Sequence, residues 1–135
     1  MDEVKEILKE VIEEISKKEK ITEKEREELF ELLRLVKLNE KDDKFSFSFN
    51  RLALIGYHLL AFIRRLETNE KLPPVESGLW NEISPEVKKL SIEVLQKYVQ
   101  RFKKELKELD ETEIFLLAVH FEASKIKCVG GKNNA

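Results

Sequence analysis

The chain has 135 residues, of which 39% are charged and 41% hydrophobic, with 25 basic and 27 acidic side chains. This near-neutral balance provides no basic field, so we expect no direct nucleic-acid partner. The single cysteine, Cys128, can form neither a disulfide framework nor a cysteine zinc cluster. With four glycines and three prolines, the composition favours one all-α domain, a compact bundle with charged outer faces.

The longest uncharged run separates Arg51 from Arg64 and has His58 near its middle. Its twelve residues would form a helix of about 18 Å, which is shorter than the roughly 30 Å hydrocarbon core of a bilayer. The N-terminus is rich in Glu and Lys and lacks the basic and apolar regions of a signal peptide. We therefore predict a cytoplasmic protein without a membrane segment.

Two amphipathic helices are predicted at the start of the chain. In residues 1–22, apolar side chains recur at steps of three and four, which indicates a helix that packs one face on the bundle. This stripe comprises Val4, Ile7, Leu8, Val11, Ile12 and Ile15. Thr22 and Glu25 form a capping-box signature that starts the second helix. Its apolar residues are Leu29, Phe30, Leu32, Leu33 and Val36.

The segment KFSFSFN, residues 44–50, alternates apolar and polar side chains at a period of two, which is typical of a strand. It is short, however, and the sequence contains no second strand to pair with it. We predict instead that a serine or asparagine of this segment caps a third helix. That helix runs to about Leu66 and is apolar nearly all round, which predicts a central position in the bundle.

A loop follows in residues 69–78, where two prolines and a glycine end the helix. A short turn at Leu79-Trp80 is expected to pack back on the core. Ser84-Pro85-Glu86 is the start signal of a fourth helix. Its predicted stripe is Val87, Leu90, Val94, Leu95, Tyr98, Phe102 and Leu106. Asp110, followed by Glu113, caps the fifth helix, and residues 127–135 form a flexible tail.

The chain has two histidines, His58 and His120, and each lies in a strongly apolar helix. A buried imidazole needs hydrogen-bond partners, so each is either a satisfied core residue or a functional group. Two histidines without paired spacing leave a metal ligand set incomplete, and we expect no metal and no cofactor. Cys128 has nothing near it in the sequence to position a base, and Gly130-Gly131 precedes no helix that could hold a phosphate. We therefore do not predict an enzyme.

Two segments resemble the PTS regulation domain: YHLLAFIRRLETNEKL and, later, DETEIFLLAVHFEAS. His58 and Arg65 match the first family motif, and Glu113 and His120 match the second. The resemblance covers residues 23–126. It implies a bundle of about five helices that forms homodimers, with the histidines near the dimer interface, and here a small stand-alone member with an added N-terminal helix.

The family resemblance also implies a function in transcription regulation by the sugar phosphotransferase system. A phosphocarrier protein or a sugar-transporter subunit phosphorylates the family's histidines, and the added charge rearranges the dimer or changes the binding of an effector protein. His58 and His120 are thereby candidate acceptors, and Arg64 or Arg65 would pair with the phosphoryl oxygens. The alternative is a helical dimer that binds another regulator or a transporter subunit without being phosphorylated.

Two further residues have candidate roles beside these histidines. Glu113 could fix the ring of His120 through its second nitrogen, or it could complete the helix cap. The family often has an acid immediately before the first histidine. Tyr57 stands there in this chain, and it could orient His58 only by hydrogen bonding. The sequence also departs from the family at Thr112 and Ala123.

Overall fold

The computed structural model describes residues 2–106 and 109–126. The predicted all-α class is confirmed, with five α-helices and two 3-10 turns in this part of the chain. The helices are α1 (Asp2–Ser16), α2 (Glu23–Lys37), α3 (Phe49–Thr68), α4 (Pro85–Phe102) and α5 (Glu111–Ala123), and the turns are Leu38–Asp42 and Ser77–Glu82. The predicted tail, residues 127–135, lies outside the described residues, as do Cys128 and Gly130-Gly131.

Four helices begin at the caps predicted from the sequence. The side chains of Thr22, Ser48, Ser84 and Asp110 each accept a hydrogen bond from a backbone N–H two or three residues further on. Each such bond satisfies a donor that the helix leaves unpaired, and it is worth about 1 kcal/mol. The fourth helix ends at Phe102, so Leu106, which we placed on its stripe, lies beyond it.

The predicted central position of the third helix is shared with α2. The third helix packs against α1, α2 and α5, α2 packs against α1, α3 and α4, and α4 also packs against α5. At Gly56 the first helix approaches so closely that a Cβ atom would overlap Cδ1 of Ile15.

Among residues 2–106 and 109–126, no helix combines the length and apolar character needed to cross a bilayer.

The segment before α3 contains no strand, but it does have a pairing partner, contrary to our prediction. Phe45 forms an isolated antiparallel bridge with Lys125, directly after α5. The rings of Phe45 and Phe47 are both buried, and each lies edge-on to Phe121. The period of two therefore reflects two phenylalanines that anchor the start of α3 to the end of α5.

The turn before α4 packs back on the core through one of its two predicted residues. The Trp80 ring meets the edge of Phe115, with ring centroids 5.1 Å apart, and the Lys88 ammonium lies 4.4 Å from the Trp80 ring centroid. Leu79, in contrast, is 47% exposed. The tryptophan thus fastens the turn to α5.

Candidate functional site

A line of polar residues crosses the contact between α3 and α5. Arg51, His58 and Arg65 follow one another at intervals of seven on α3, so they lie on one side of this helix. Glu113 and His120 have the same spacing on α5. Arg51 contacts His120 and Arg65 contacts Glu113, so the two helices run antiparallel here.

The two histidines meet in the middle of this line, although 62 positions separate them in the sequence. Their ring centroids are 5.3 Å apart, and the rings are inclined at 73° in an edge-to-face contact. Both side chains are half-buried. The fold therefore brings both predicted acceptors into one site that is partly open to solvent.

Arg51 was not among the residues we predicted from the sequence. Its Nη1 atom lies 3.4 Å from Nδ1 of His120. A guanidinium can only donate, so Nδ1 accepts and the proton of this neutral ring is on Nε2. Within the described ranges, no carboxylate pairs with Arg51. The seven-residue interval from His58 was the signal in the sequence that could have identified it.

Arg65 and Glu113 form a bidentate ion pair, with distances of 2.6 Å (Nε to Oε2) and 2.8 Å (Nη2 to Oε1). The Glu113 side chain is only 4% exposed. Its carboxylate neither holds the ring of His120 nor closes the cap, and both predicted roles were wrong. A nearly buried carboxylate needs a strong partner, and the planar guanidinium matches its two oxygens.

Arg64 faces away from the histidines, contrary to its predicted role. It follows His58 by six positions, which turns it about 120° away on the helix surface. Its guanidinium donates to the carboxylates of Glu25 and Glu19 and to the Lys20 carbonyl oxygen. Arg64 thus ties α3 to the connection between α1 and α2.

Tyr57 is half-buried and packs against the core. It lines a shallow groove of about 240 Å³ together with Arg64 and Glu19. In the described part of the chain its hydroxyl makes no hydrogen bond to His58, so the predicted orienting role is wrong in this structure. Tyr57 directly precedes His58 on α3, so its side chain points about 100° away from that of His58 around the helix axis.

The site keeps both imidazoles neutral at pH 7. Burial, the neighbouring His58 and the Arg51 guanidinium together lower the pKa of His120 to about 4, with burial the largest cause. Burial also lowers the pKa of His58, with Arg65 acting in the same direction and Glu113 in the opposite one. A neutral imidazole has a free lone pair, which a nucleophile requires.

One atom of the site lacks a hydrogen-bond partner. Nε2 of His58 is the only buried side-chain nitrogen or oxygen without one among the residues that the structure describes. An unpaired buried polar atom costs about 1–3 kcal/mol, and proteins rarely leave one without a reason. This nitrogen is enclosed by protein and unpaired, whereas Nδ1 of His120 has the Arg51 guanidinium as its partner.

An apolar surface surrounds the two histidines, and we call it the histidine face. Leu54 on α3 is 54% exposed and Val119 on α5 is 41% exposed. The helical period places smaller or partly exposed residues around them on the same side of the two helices. These are Tyr57, Ala61, Leu116 and Ala123. Such a surface, rimmed by arginines, is typical of a protein contact.

In the part of the chain that the structure describes, neither a group of potential metal ligands nor the cleft beside the ion pair includes the two histidines. No three His, Cys, Asp or Glu side chains within residues 2–106 and 109–126 come together as metal ligands. A cleft of about 370 Å³ begins beside the ion pair of Arg65 and Glu113 and extends to Lys103 and Glu67, but neither histidine lines it. The two half-buried histidines therefore lie at the contact between α3 and α5, outside this cleft.

No family model matches the chain, and no curated protein or solved structure matches it. The similarity to PTS regulation domains therefore depends on the two motifs and their order in the sequence.

Proposed function

We propose that the protein is a regulatory phospho-acceptor of the sugar phosphotransferase type, modified on the histidine pair. The observation that supports this most strongly is the convergence of His58 and His120, two neutral imidazoles 5.3 Å apart between two arginines. The proposed donor is a phosphocarrier protein or a sugar-transporter subunit. The signal passes to an effector protein through a rearranged dimer.

The chemistry is a transfer between two nitrogen atoms. The lone pair of an acceptor imidazole nitrogen attacks the phosphorus of the donor's phosphohistidine, and a new N–P bond forms. The donor's N–P bond breaks, and its electron pair returns to the donor ring. The acceptor ring loses its N–H proton and the donor ring gains one, so the sum of charges is unchanged. This exchange needs neither a metal nor a base with a strongly shifted pKa.

The added group changes the electrostatics of the histidine face. A phosphoryl group adds nearly two negative charges and three acceptor oxygens. Arg51 and Arg65 lie at the two ends of the histidine pair and are the cations nearest to it in the line. Because the surrounding surface is apolar, the new charge has a large effect on any partner that covers it.

The test is phosphoryl transfer from the purified, phosphorylated phosphocarrier protein. We expect the protein to take up acid-labile, base-stable phosphate, and a double variant His58→Gln, His120→Gln to fall to background labelling. Glutamine retains a polar side chain of similar size, and a thermal unfolding curve checks that the variant is folded. Equal labelling of the parent and the double variant would refute the proposal.

A second candidate function is favoured by the histidine face itself. Leu54 and Val119 remain exposed on the described surface, although both belong to helices that supply the core. We propose that a second copy of the chain covers this face, with or without phosphorylation. In an interaction module of this kind, the histidines act as polar groups within the contact.

We expect the double variant Leu54→Asp, Val119→Asp to weaken self-association at least about tenfold, because two carboxylates would be buried in an apolar contact. Sedimentation velocity across a concentration series measures the effect. Leu79→Asp is the matched control, since Leu79 is similarly exposed (47%) but lies on the turn before α4. A parent that remains monomeric at high concentration, or a control that dissociates equally, contradicts the dimer.

A further inference from the structure

We propose that Arg51 binds the phosphoryl oxygens at this site through its N–H groups and thereby makes His120, rather than His58, the principal acceptor. This inference rests on the proposed function, of which it specifies the residue and the cation. Three differences between the two histidines lead to it: the state of the nearest arginine, the accessibility of the ring nitrogens and the position of the attacking lone pair.

The first difference lies in the arginines. Arg65 donates two hydrogen bonds to Glu113, whose negative charge offsets its own. A dianion on His58 would have to displace this carboxylate or lie beside it. Arg51 pairs with no carboxylate among the described residues, and it keeps its full charge and most of its five N–H donors for an incoming anion.

The second difference lies in the ring nitrogens. Nε2 of His58 is enclosed by protein, so a phosphorus atom could not reach it without a movement of the surrounding side chains. Nδ1 of His120, in contrast, has the Arg51 guanidinium as its partner, and the half-buried ring directly follows exposed Val119 in the sequence. A donor protein that docks on the histidine face would approach His120 beside Val119, whereas Nε2 of His58 would first have to be uncovered.

The third difference is the position of the attacking lone pair. Because Arg51 donates to Nδ1 of His120, the lone pair of the neutral ring is on the nitrogen that faces the guanidinium. When Nδ1 attacks phosphorus, the Nδ1–P bond forms and the donor's bond to phosphorus breaks, with its electron pair leaving on the donor nitrogen. The N–H groups of Arg51 then turn from Nδ1 to the phosphoryl oxygens, which an arginine fork can hold in bidentate fashion.

The experiment compares Arg51→Ala, Arg51→Lys and Arg101→Ala with the parent, and peptide mass mapping locates the phosphate. Arg101 is the control because it lies on α4, where it pairs with Glu31 of α2. A charge-assisted hydrogen bond of ordinary strength corresponds to about a tenfold to hundredfold change in an equilibrium constant. We expect phosphate chiefly on His120, about tenfold or greater loss in Arg51→Ala, partial recovery in Arg51→Lys, and no loss in Arg101→Ala.

A second donor, potassium phosphoramidate, distinguishes failure of this inference from failure of the proposed function. This small molecule transfers its phosphoryl group directly to imidazole with loss of ammonia. Labelling of His120 by phosphoramidate but not by the carrier protein, with reduced labelling in Arg51→Ala, would support the role of Arg51 and refute the phosphocarrier protein as donor. Labelling chiefly at His58, or equal labelling of Arg51→Ala and the parent with both donors, would overturn the inference. Failure of the parent to label with either donor would overturn both proposals.

Discussion

Replacing Glu113 with alanine is expected to lower the free energy of unfolding by about 3–5 kcal/mol. The variant removes the partner of the Arg65 guanidinium, whose side chain is only 16% exposed. The charge left behind keeps its desolvation cost but loses both short hydrogen bonds. Urea unfolding at neutral pH, followed by circular dichroism, measures the loss.

The control for this prediction is a glutamate whose partner is exposed. Glu14 pairs with Lys17 on the surface, and their side chains are 41% and 71% exposed. We expect Glu14→Ala to change stability by less than about 0.5 kcal/mol, since exposed pairs contribute little. The double variant Arg65→Met, Glu113→Leu should recover much of the loss by removing both charges. If Glu113→Ala behaves like Glu14→Ala, the ion pair does not hold α3 to α5.

As the pH falls, protonation of the histidine pair is expected to destabilise the protein before the carboxylates of the protein become protonated. The pKa of His120 is lowered from the ordinary 6.5 to about 4 in the folded state, so the unfolded chain binds the proton more readily. The contribution of neutral His120 to the free energy of unfolding is therefore fully present above about pH 6.5 and is lost as the pH falls towards 4. Allowing for solvent screening of a half-buried ring, we expect a loss of about 1–2 kcal/mol from this group.

The carboxylates contribute at lower pH and can be separated from the histidines. The pKa values of Glu25, Glu67 and Glu122 are lowered from 4.5 by their basic partners, so their contribution disappears only as the pH falls below that value. We expect His120→Gln to flatten the stability profile between pH 6.5 and 4.5 and to leave the steeper loss below it. A variant with the parent's slope across this interval would show that His120 is not responsible.

These two predictions concern one end and the middle of the same line of residues. The ion pair of Arg65 and Glu113 holds one end of the contact between α3 and α5, and the neutral histidines occupy its middle. Under the proposed function, a phosphoryl dianion on His58 would compete with the carboxylate of Glu113 for Arg65, whereas a dianion on His120 would meet Arg51.

The sequence by itself determined the helices and their starting points. The caps Thr22, Ser84 and Asp110 could be identified, and a serine or asparagine of residues 44–50 expected before α3, because a capping bond joins residues only two or three positions apart. The helical period likewise placed His58 and Arg65 on one side of α3. The two motifs that resemble the PTS regulation domain singled out both histidines as a pair, although they did not reveal which groups would face them.

Only the tertiary structure decided which residues oppose one another across α3 and α5. Helical periodicity specifies the face of a residue but not the register of the neighbouring helix, which depends on the packing of the whole core. That register joined Arg51 to His120 and Arg65 to Glu113, and the same packing turned Arg64 towards Glu19 and Glu25. The long-range partners thus followed from how the buried side chains fit together, which local patterns do not encode.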